Sequence, residues 1–132
     1  MKYKAGQKIN EWTYQVRQEN LNAWSKILND PNPIHFDSEA VKEIGLGSKC
    51  INQGPANISY IINAITYNFP KSRILSIKNR LNGNVFVDDI ISVTGKITKV
   101  LNKEESVLIS LLLSLNTHEN DSLVISNVEL IQ

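Results

Sequence analysis

The feature that most constrains the fold of this chain is a change in the spacing of apolar residues at Pro70. Before it, residues 56–67 carry apolar side chains at near-helical spacing, namely Ile58, Ile61, Ile62 and Ile65. The apolar surface of this helix is widened by Ala56, Tyr60 and Ala64. A helix with so broad an apolar surface is expected to be wrapped by a sheet. Gly54 and Pro55 predict where it begins, because proline lacks the N–H group that the first helical position leaves unpaired.

After Pro70 the sequence is β-rich to its end. Candidate turns separate four runs that are dominated by β-branched and other apolar residues. These four runs are residues 74–81, 90–101, 105–115 and 123–130. Another strand is predicted over 11–16, where Trp12, Tyr14 and Val16 alternate with polar residues. We therefore predict an α+β fold, with an antiparallel sheet of about five strands around one long helix.

Two prolines interrupt the segment between the first strand and the long helix. A short amphipathic helix over 19–28 ends there, because Pro31 and Pro33 stand too close together for a helix to continue. Asp30 and His35 flank this stiff spacer, and a carboxylate and an imidazole can exchange a proton with a substrate near neutral pH. Alternatively, Asp30 caps a turn and His35 is a half-buried side chain bonded to a backbone carbonyl.

This loop and the segment that follows it resemble the signature of the MaoC-like hydratases and dehydratases. The matching residues are Asp30-Pro-Asn-Pro-Ile-His35-Phe-Asp37, then Gly45, then Ile51-Asn-Gln-Gly54. The family comprises hotdog-fold enzymes, among them R-specific enoyl-CoA hydratases and (3R)-hydroxyacyl thioester dehydratases. The resemblance implies that residues 1–132 form a single hotdog domain.

The resemblance also implies a reaction, the reversible addition of water to a trans-2-enoyl thioester to give a (3R)-3-hydroxyacyl thioester. Asp30 and His35 would be the acid/base pair. Negative charge that develops on the thioester oxygen needs preformed donors, and the Gly54 amide at a helix N-terminus would supply one. Gln53 and Asn32 complete the expected substrate-binding residues. No metal or cofactor is expected, and coenzyme A or phosphopantetheine would be the substrate's handle.

Five positions depart from the family pattern. Gln53 replaces the usual histidine, Pro55 a methionine, Asn29 a glycine, Leu28 a serine, and Ile62 a serine found in some hydratases. Glutamine can form hydrogen bonds but cannot titrate. The departures leave a second function open, a non-catalytic thioester-binding or partner subunit of a heterodimeric hotdog dehydratase. A hotdog thioesterase is a third, but such enzymes generally lack this loop.

Partners follow from the same reasoning. The substrate would be an acyl thioester, and an acyl carrier protein is a candidate partner. Four basic residues after the long helix could meet the phosphates of either handle or form a solvated strand edge: Lys71, Arg73, Lys78 and Arg80. A lone hotdog leaves a sheet edge unpaired, so we expect a homodimer.

Composition excludes several other classes. The 132 residues, 42% of them hydrophobic, suffice for one core. A net charge of +1 with interspersed signs argues against nucleic-acid or membrane-surface binding. The apolar run 107–115 is too short for a membrane helix. With no apparent signal peptide and only Cys50 as a thiol, the chain is expected in the cytoplasm.

A metal site is the remaining alternative. His35, Asp37 and His118 imitate a site with two histidines and one carboxylate for iron. The chain looks too short for the barrel that carries such sites, and His118 lies in a polar turn. We therefore expect Asp37 to cap a helix and no metal to be bound.

Overall fold

The computed structural model describes residues 2–132 and contains one antiparallel sheet of five strands. The elements in chain order are β1 Trp12–Gln15, α1 Gln18–Ile27, a 3₁₀ turn Pro33–His35, α2 Ser38–Glu43, α3 Gly54–Asn68, β2 Arg73–Leu81, β3 Ile90–Asn102, β4 Val107–Asn116 and β5 Val124–Ile131. The strand order across the sheet is β1-β3-β4-β5-β2. The α+β prediction is confirmed, with five strands and one long helix.

The core lies between α3 and one face of the sheet. On α3 the buried apolar side chains include Tyr60, Ile61, Ala64 and Ile65. Ile62, which the spacing also placed on the apolar surface of the helix, is exposed. The sheet contributes alternate residues, which are buried because they share the face towards the helix: Val93, Ile97, Ile109, Leu111, Leu113, Leu115, Val124, Val128 and Leu130. Each such side chain stabilises the fold by about 1.5–3 kcal/mol through burial.

The two edges of the sheet differ. Beyond β1, the N-terminal segment bonds to the edge of β3, with the Gly6 N–H donating to the Ile97 carbonyl at 2.7 Å and the Ile9 N–H to the Gly95 carbonyl at 3.0 Å. At the other edge, no strand within residues 2–132 pairs with the outer side of β2. Leu75 and Leu81 on β2 are each 47% exposed. The β2 edge is therefore open to another chain.

The basic residues after α3 lie on this open side of the molecule. Leu81 pairs with buried Val124, so the alternate residues Lys78 and Arg80 point to the face of the sheet that lies away from α3. Both are exposed, as are Lys71 and Arg73. Their placement matches a solvated strand edge.

Within residues 2–132, no helix is long and apolar enough to cross a membrane.

Candidate active site

Asp30 is held at the C-terminus of α1 by a Schellman motif. The Asn29 N–H donates to the Lys26 carbonyl at 3.2 Å, and the Asp30 N–H donates to the Ser25 carbonyl at 2.9 Å. Asn29 adopts the left-handed conformation, with φ of +51°. Glycine and asparagine are the residues that tolerate this conformation best, which explains why Asn29 can stand where the family has glycine.

Substitutions at Asn29 test this conformational requirement. We expect Asn29→Gly to leave stability nearly unchanged and Asn29→Val to lower the free energy of unfolding by about 1–2 kcal/mol, because a β-branched residue is strained at positive φ. Urea denaturation measures both effects. As a control, Asn127→Val lies on exposed, extended β5, where valine is favoured. Equal stability of Asn29→Gly and Asn29→Val would contradict the explanation.

Two side chains shape the loop between Asp30 and His35. Asp30 Oδ1 accepts the Asn32 N–H at 3.0 Å, and Asn32 Oδ1 accepts the Ile34 N–H at 3.3 Å. Pro33 opens the 3₁₀ turn, whose last residue is His35. The sequence predicted a rigid turn but not this helical turn, which carries the imidazole back towards Asp30.

Asp30 and His35 are in contact. His35 Nε2 lies 3.2 Å from Asp30 Oδ2. On the other side of the ring, Nδ1 lies 2.6 Å from the Ile51 carbonyl oxygen. A carbonyl oxygen can only accept, so Nδ1 carries a hydrogen, and in the neutral ring the lone pair is on Nε2, facing the carboxylate.

The alternative interpretation, a turn cap and a core histidine, accounts for one polar atom of each side chain. Asp30 does cap a turn, and it does so through Oδ1. His35 is buried and bonded to a backbone carbonyl, as the alternative expected, through Nδ1. Oδ2 and Nε2 remain, and these two atoms face each other. The Asp30 side chain is 32% exposed, so the pair is open to solvent on the carboxylate side.

Gly54 is the first residue of α3, and Pro55 is the second rather than the first as predicted. Because Pro55 has no N–H, the amides of Gly54 and Ala56 are the donors that the first turn leaves unused by the helix. The Ile51 N–H donates to the Ile34 carbonyl at 2.9 Å, which ties the segment before α3 to the His35 turn. The helix N-terminus therefore follows directly on the segment that holds His35.

The two predicted substrate-binding side chains, Gln53 and Asn32, lie in different surroundings: one is buried and the other is exposed. Gln53 is 1% exposed, and its side chain extends to α1, where Nε2 donates to the Leu21 carbonyl at 2.9 Å and to Ser25 Oγ at 3.0 Å. Asn32 is exposed, with Oδ1 engaged in the loop. Ile62 is 38% exposed. Asp30 and His35 thus meet, while the Gln53 side chain packs against α1.

Sequence reasoning missed a buried polar cluster beside Gln53. Asn52 Nδ2 donates to Asn57 Oδ1 at 2.8 Å and to the Tyr60 hydroxyl at 3.1 Å. Burial raises the pKa of Tyr60, the Asn52 hydrogen bond lowers it and the neighbouring Tyr14 raises it. One available signal was Asn57, a polar residue on an otherwise apolar helix face.

In the part of the chain that the structure describes, neither Cys50 nor Asp37, a residue of the alternative iron site, lies in a metal-binding cluster. Burial raises the pKa of the Cys50 thiol, and nearby Asp37 raises it further, so this cysteine is a neutral core residue. Asp37 caps α2 by accepting the Glu39 N–H at 3.0 Å, as expected. Within residues 2–132, no group of three or more His, Cys, Asp or Glu side chains is placed to hold a metal ion.

Three solved structures are similar to this chain over nearly its full length. The (R)-hydratase from A. caviae involved in PHA biosynthesis superposes with a TM-score of 0.85 at 18% identity, covering 98% of this chain and 97% of that one. A MaoC-like dehydratase from Rhodospirillum rubrum gives 0.82 at 11% identity, covering 97% and 91%. The ChsH1-ChsH2 complex from Mycobacterium tuberculosis gives 0.82 at 19% identity, covering 98% and 98%.

These likenesses confirm the predicted hotdog fold. No curated protein sequence matches the chain. The model of the family described as the FAS1-like, dehydratase domain region matches residues 4–126. The chain therefore belongs to the FAS1-like dehydratase domain family, and its loop resembles that of the MaoC-like hotdog proteins.

Proposed function

We propose that this protein interconverts trans-2-enoyl and (3R)-3-hydroxyacyl thioesters, with Asp30 and His35 as its acid/base pair. The observation that carries the proposal is the 3.2 Å approach of His35 Nε2 to Asp30 Oδ2. The remaining polar atoms of both side chains are used in holding the loop, so the two facing atoms are available for proton transfer. Membership of a dehydratase family supports the reaction class.

In the hydration direction, one member of the pair takes a proton from water as the oxygen adds to the β-carbon. The π electrons of the double bond move towards the thioester carbonyl and form an enolate. The other member then gives a proton to the α-carbon, and the enolate electrons form that new C–H bond. Water is the only species gained, so the pair is restored by one proton transfer between its members or through water.

Stabilisation of the enolate is the second requirement of the reaction. We assign it to the Gly54 amide at the N-terminus of α3, where the helix dipole adds partial positive charge. Asn32 would face the substrate with its amide nitrogen, since its oxygen is bonded to the Ile34 N–H. Hydration changes no overall oxidation state, so the proposal includes no redox cofactor. Coenzyme A or phosphopantetheine would be the handle, and the cytoplasm the compartment.

A homodimer completes the proposal. The β2 edge is unpaired within residues 2–132, and it carries two exposed leucines, Leu75 and Leu81. A Cβ atom on Gly54 would lie 3.1 Å from Leu81 Cδ2, so this edge is next to the start of α3. Pairing two copies along β2 would therefore bring the second subunit to the site.

Charge at the β2 edge should disrupt such a dimer. We expect Leu75→Arg to shift the protein from dimer to monomer, because an arginine at the paired edge would lose its hydration without gaining a partner. Size-exclusion chromatography with light scattering gives the mass directly. Leu101→Arg is the matched control, since Leu101 is similarly exposed at 43% but lies on β3. A dimer that persists in Leu75→Arg would place the interface elsewhere.

The first test of the reaction is loss of the conjugated enoyl absorbance when the purified protein meets crotonyl-CoA. We expect turnover with this substrate, with a longer enoyl-CoA, or with an enoyl carrier protein. Absence of turnover with all three would refute the proposed activity.

A second candidate function is favoured by one comparison. The ChsH1-ChsH2 structure is a complex, and this chain superposes on one of its chains over 98% of both lengths. The departures at Leu28, Asn29 and Gln53 also fit a subunit that binds the thioester while a related subunit reacts. An inactive protein that gains turnover only when a second hotdog chain is added would identify this function.

A further inference from the structure

We propose that the adjacent buried amides Asn52 and Gln53 are positioning residues that hold Asp30 and His35 against each other. Gln53 orients the segment that carries Asp30, and Asn52 orients the carbonyl that binds His35. The inference rests on the proposed function, but the contacts that carry it are distinct from the contact between Asp30 Oδ2 and His35 Nε2.

Gln53 links the start of α3 to the anchor of Asp30. Its Nε2 donates to Ser25 Oγ at 3.0 Å and to the Leu21 carbonyl at 2.9 Å. The Ser25 carbonyl in turn accepts the Asp30 N–H at 2.9 Å. Because Gln53 is 1% exposed, water does not compete for these bonds. One side chain therefore sets the distance between the N-terminus of α3 and the backbone of Asp30.

Asn52 fixes the group that binds the imidazole. The Ile51 carbonyl, which lies 2.6 Å from His35 Nδ1, and the Asn52 N–H belong to one planar peptide unit. The Asn52 N–H donates to the Val85 carbonyl at 2.7 Å, so that bond orients the whole unit. The Asn52 side chain then ties the unit to Asn57 and Tyr60 on α3.

Helix α3 is therefore the common support of both reactive side chains. The two amides are also held at a cost to stability, because Asn52 Oδ1 and Gln53 Oε1 are buried and have no hydrogen-bond partner among residues 2–132. Apolar side chains would avoid that cost but could not donate to α1 or to Asn57 and Tyr60. We therefore explain the amide side chains at positions 52 and 53 by the hydrogen bonds that they donate, and not by a gain in stability.

The test uses the full chain with the variants Gln53→Met and Asn52→Leu, which keep size and remove the donors. Nitrogen NMR of labelled histidine reports on His35 without any substrate, and His118→Gln shows which signals belong to each of the two histidines. We expect neutral wild-type His35 to carry its hydrogen on Nδ1. Asn52→Leu should give a mixture of tautomers, and Gln53→Met should move the Nε2 signal towards its value in Asp30→Asn.

Kinetics of enoyl thioester hydration provide the second readout. We expect kcat to fall about 10- to 100-fold in both variants with a smaller change in KM, because misplacement by about 1 Å costs this much. Gln53→His, which restores a donor and is the family's residue, should recover part of kcat. Asn63→Ala, at an exposed position of α3, is the control and should retain wild-type kcat.

Each outcome is decisive. Wild-type His35 signals and kcat within about twofold of wild type in folded Gln53→Met and Asn52→Leu would overturn the inference. If Asn52→Leu does not fold, Tyr60→Phe removes only one of the Asn52 contacts and should show a smaller tautomer shift, whose absence would overturn the Asn52 half. A wild type inactive on every thioester refutes the reaction, while the NMR signals still decide whether the amides position His35.

Discussion

Asp30→Asn should lower the rate of enoyl thioester hydration by about 10²–10⁴-fold while leaving the fold intact. Asparagine keeps an oxygen to accept the Asn32 N–H, which lies 3.0 Å from Asp30 Oδ1, so the loop should retain its shape. The amide group of asparagine cannot take up or release a proton near neutral pH. Loss of enoyl absorbance with crotonyl-CoA measures the rate, and circular dichroism on heating measures the fold. His35→Ala should show a loss of the same size.

The control for this experiment is Asp37→Asn in the same loop. Asp37 caps α2 through Oδ1, a contact that asparagine can replace, so activity should stay near the wild-type level. His35→Gln accompanies His35→Ala because His35 is buried and an alanine leaves a cavity. Retention of more than about a tenth of wild-type activity in folded Asp30→Asn would remove Asp30 from the acid/base pair.

Gly95→Ala should lower the free energy of unfolding by about 3–5 kcal/mol, a loss large enough to unfold a marginally stable domain. Gly95 has φ of +154°, and a Cβ atom there would lie 2.2 Å from the Leu112 carbonyl oxygen and 2.9 Å from Leu113 Cα. Both are backbone atoms of β4, so relief of the overlap requires β3 and β4 to separate locally. Urea denaturation monitored by circular dichroism measures the loss.

Gly6→Ala separates backbone strain from overlap. Gly6 also has positive φ, +87°, but a Cβ atom there would meet nothing within 4 Å. We expect it to cost only about 1 kcal/mol. Equal losses for the two substitutions would mean that the approach of β4 to Gly95 is not the cause.

The elements of this fold could be predicted because each depends on local periodicity. Residues 56–67 repeat at helical spacing, and the runs after Pro70 repeat at strand spacing, so the structure places helix and strands within a few residues of the prediction. The strand order depends on tertiary packing, since β2 pairs with β5 and not with β3, its neighbour along the chain.

The contact between Asp30 and His35 was predictable for a similar reason, because both residues lie on one short stiff loop. The roles of Asn52 and Gln53 were not. The partners of their side chains lie on other elements, such as Leu21 on α1, 32 residues away from Gln53 along the chain. No spacing in the sequence records such a contact.

Helix α1, which ends next to Asp30, has little buried surface of its own. Asp30 stands at the end of α1, and the only residue of that helix that is buried is Leu21. His35 is bonded to the segment that enters α3, whose buried face belongs to the core. We therefore expect detachment of α1, which would also break its bonds to Gln53, to be a local opening that leaves the sheet and α3 folded. If Asp30 and His35 act as proposed, such an opening would set the fraction of molecules in which the pair is assembled, and activity could then be lost without a loss of global stability.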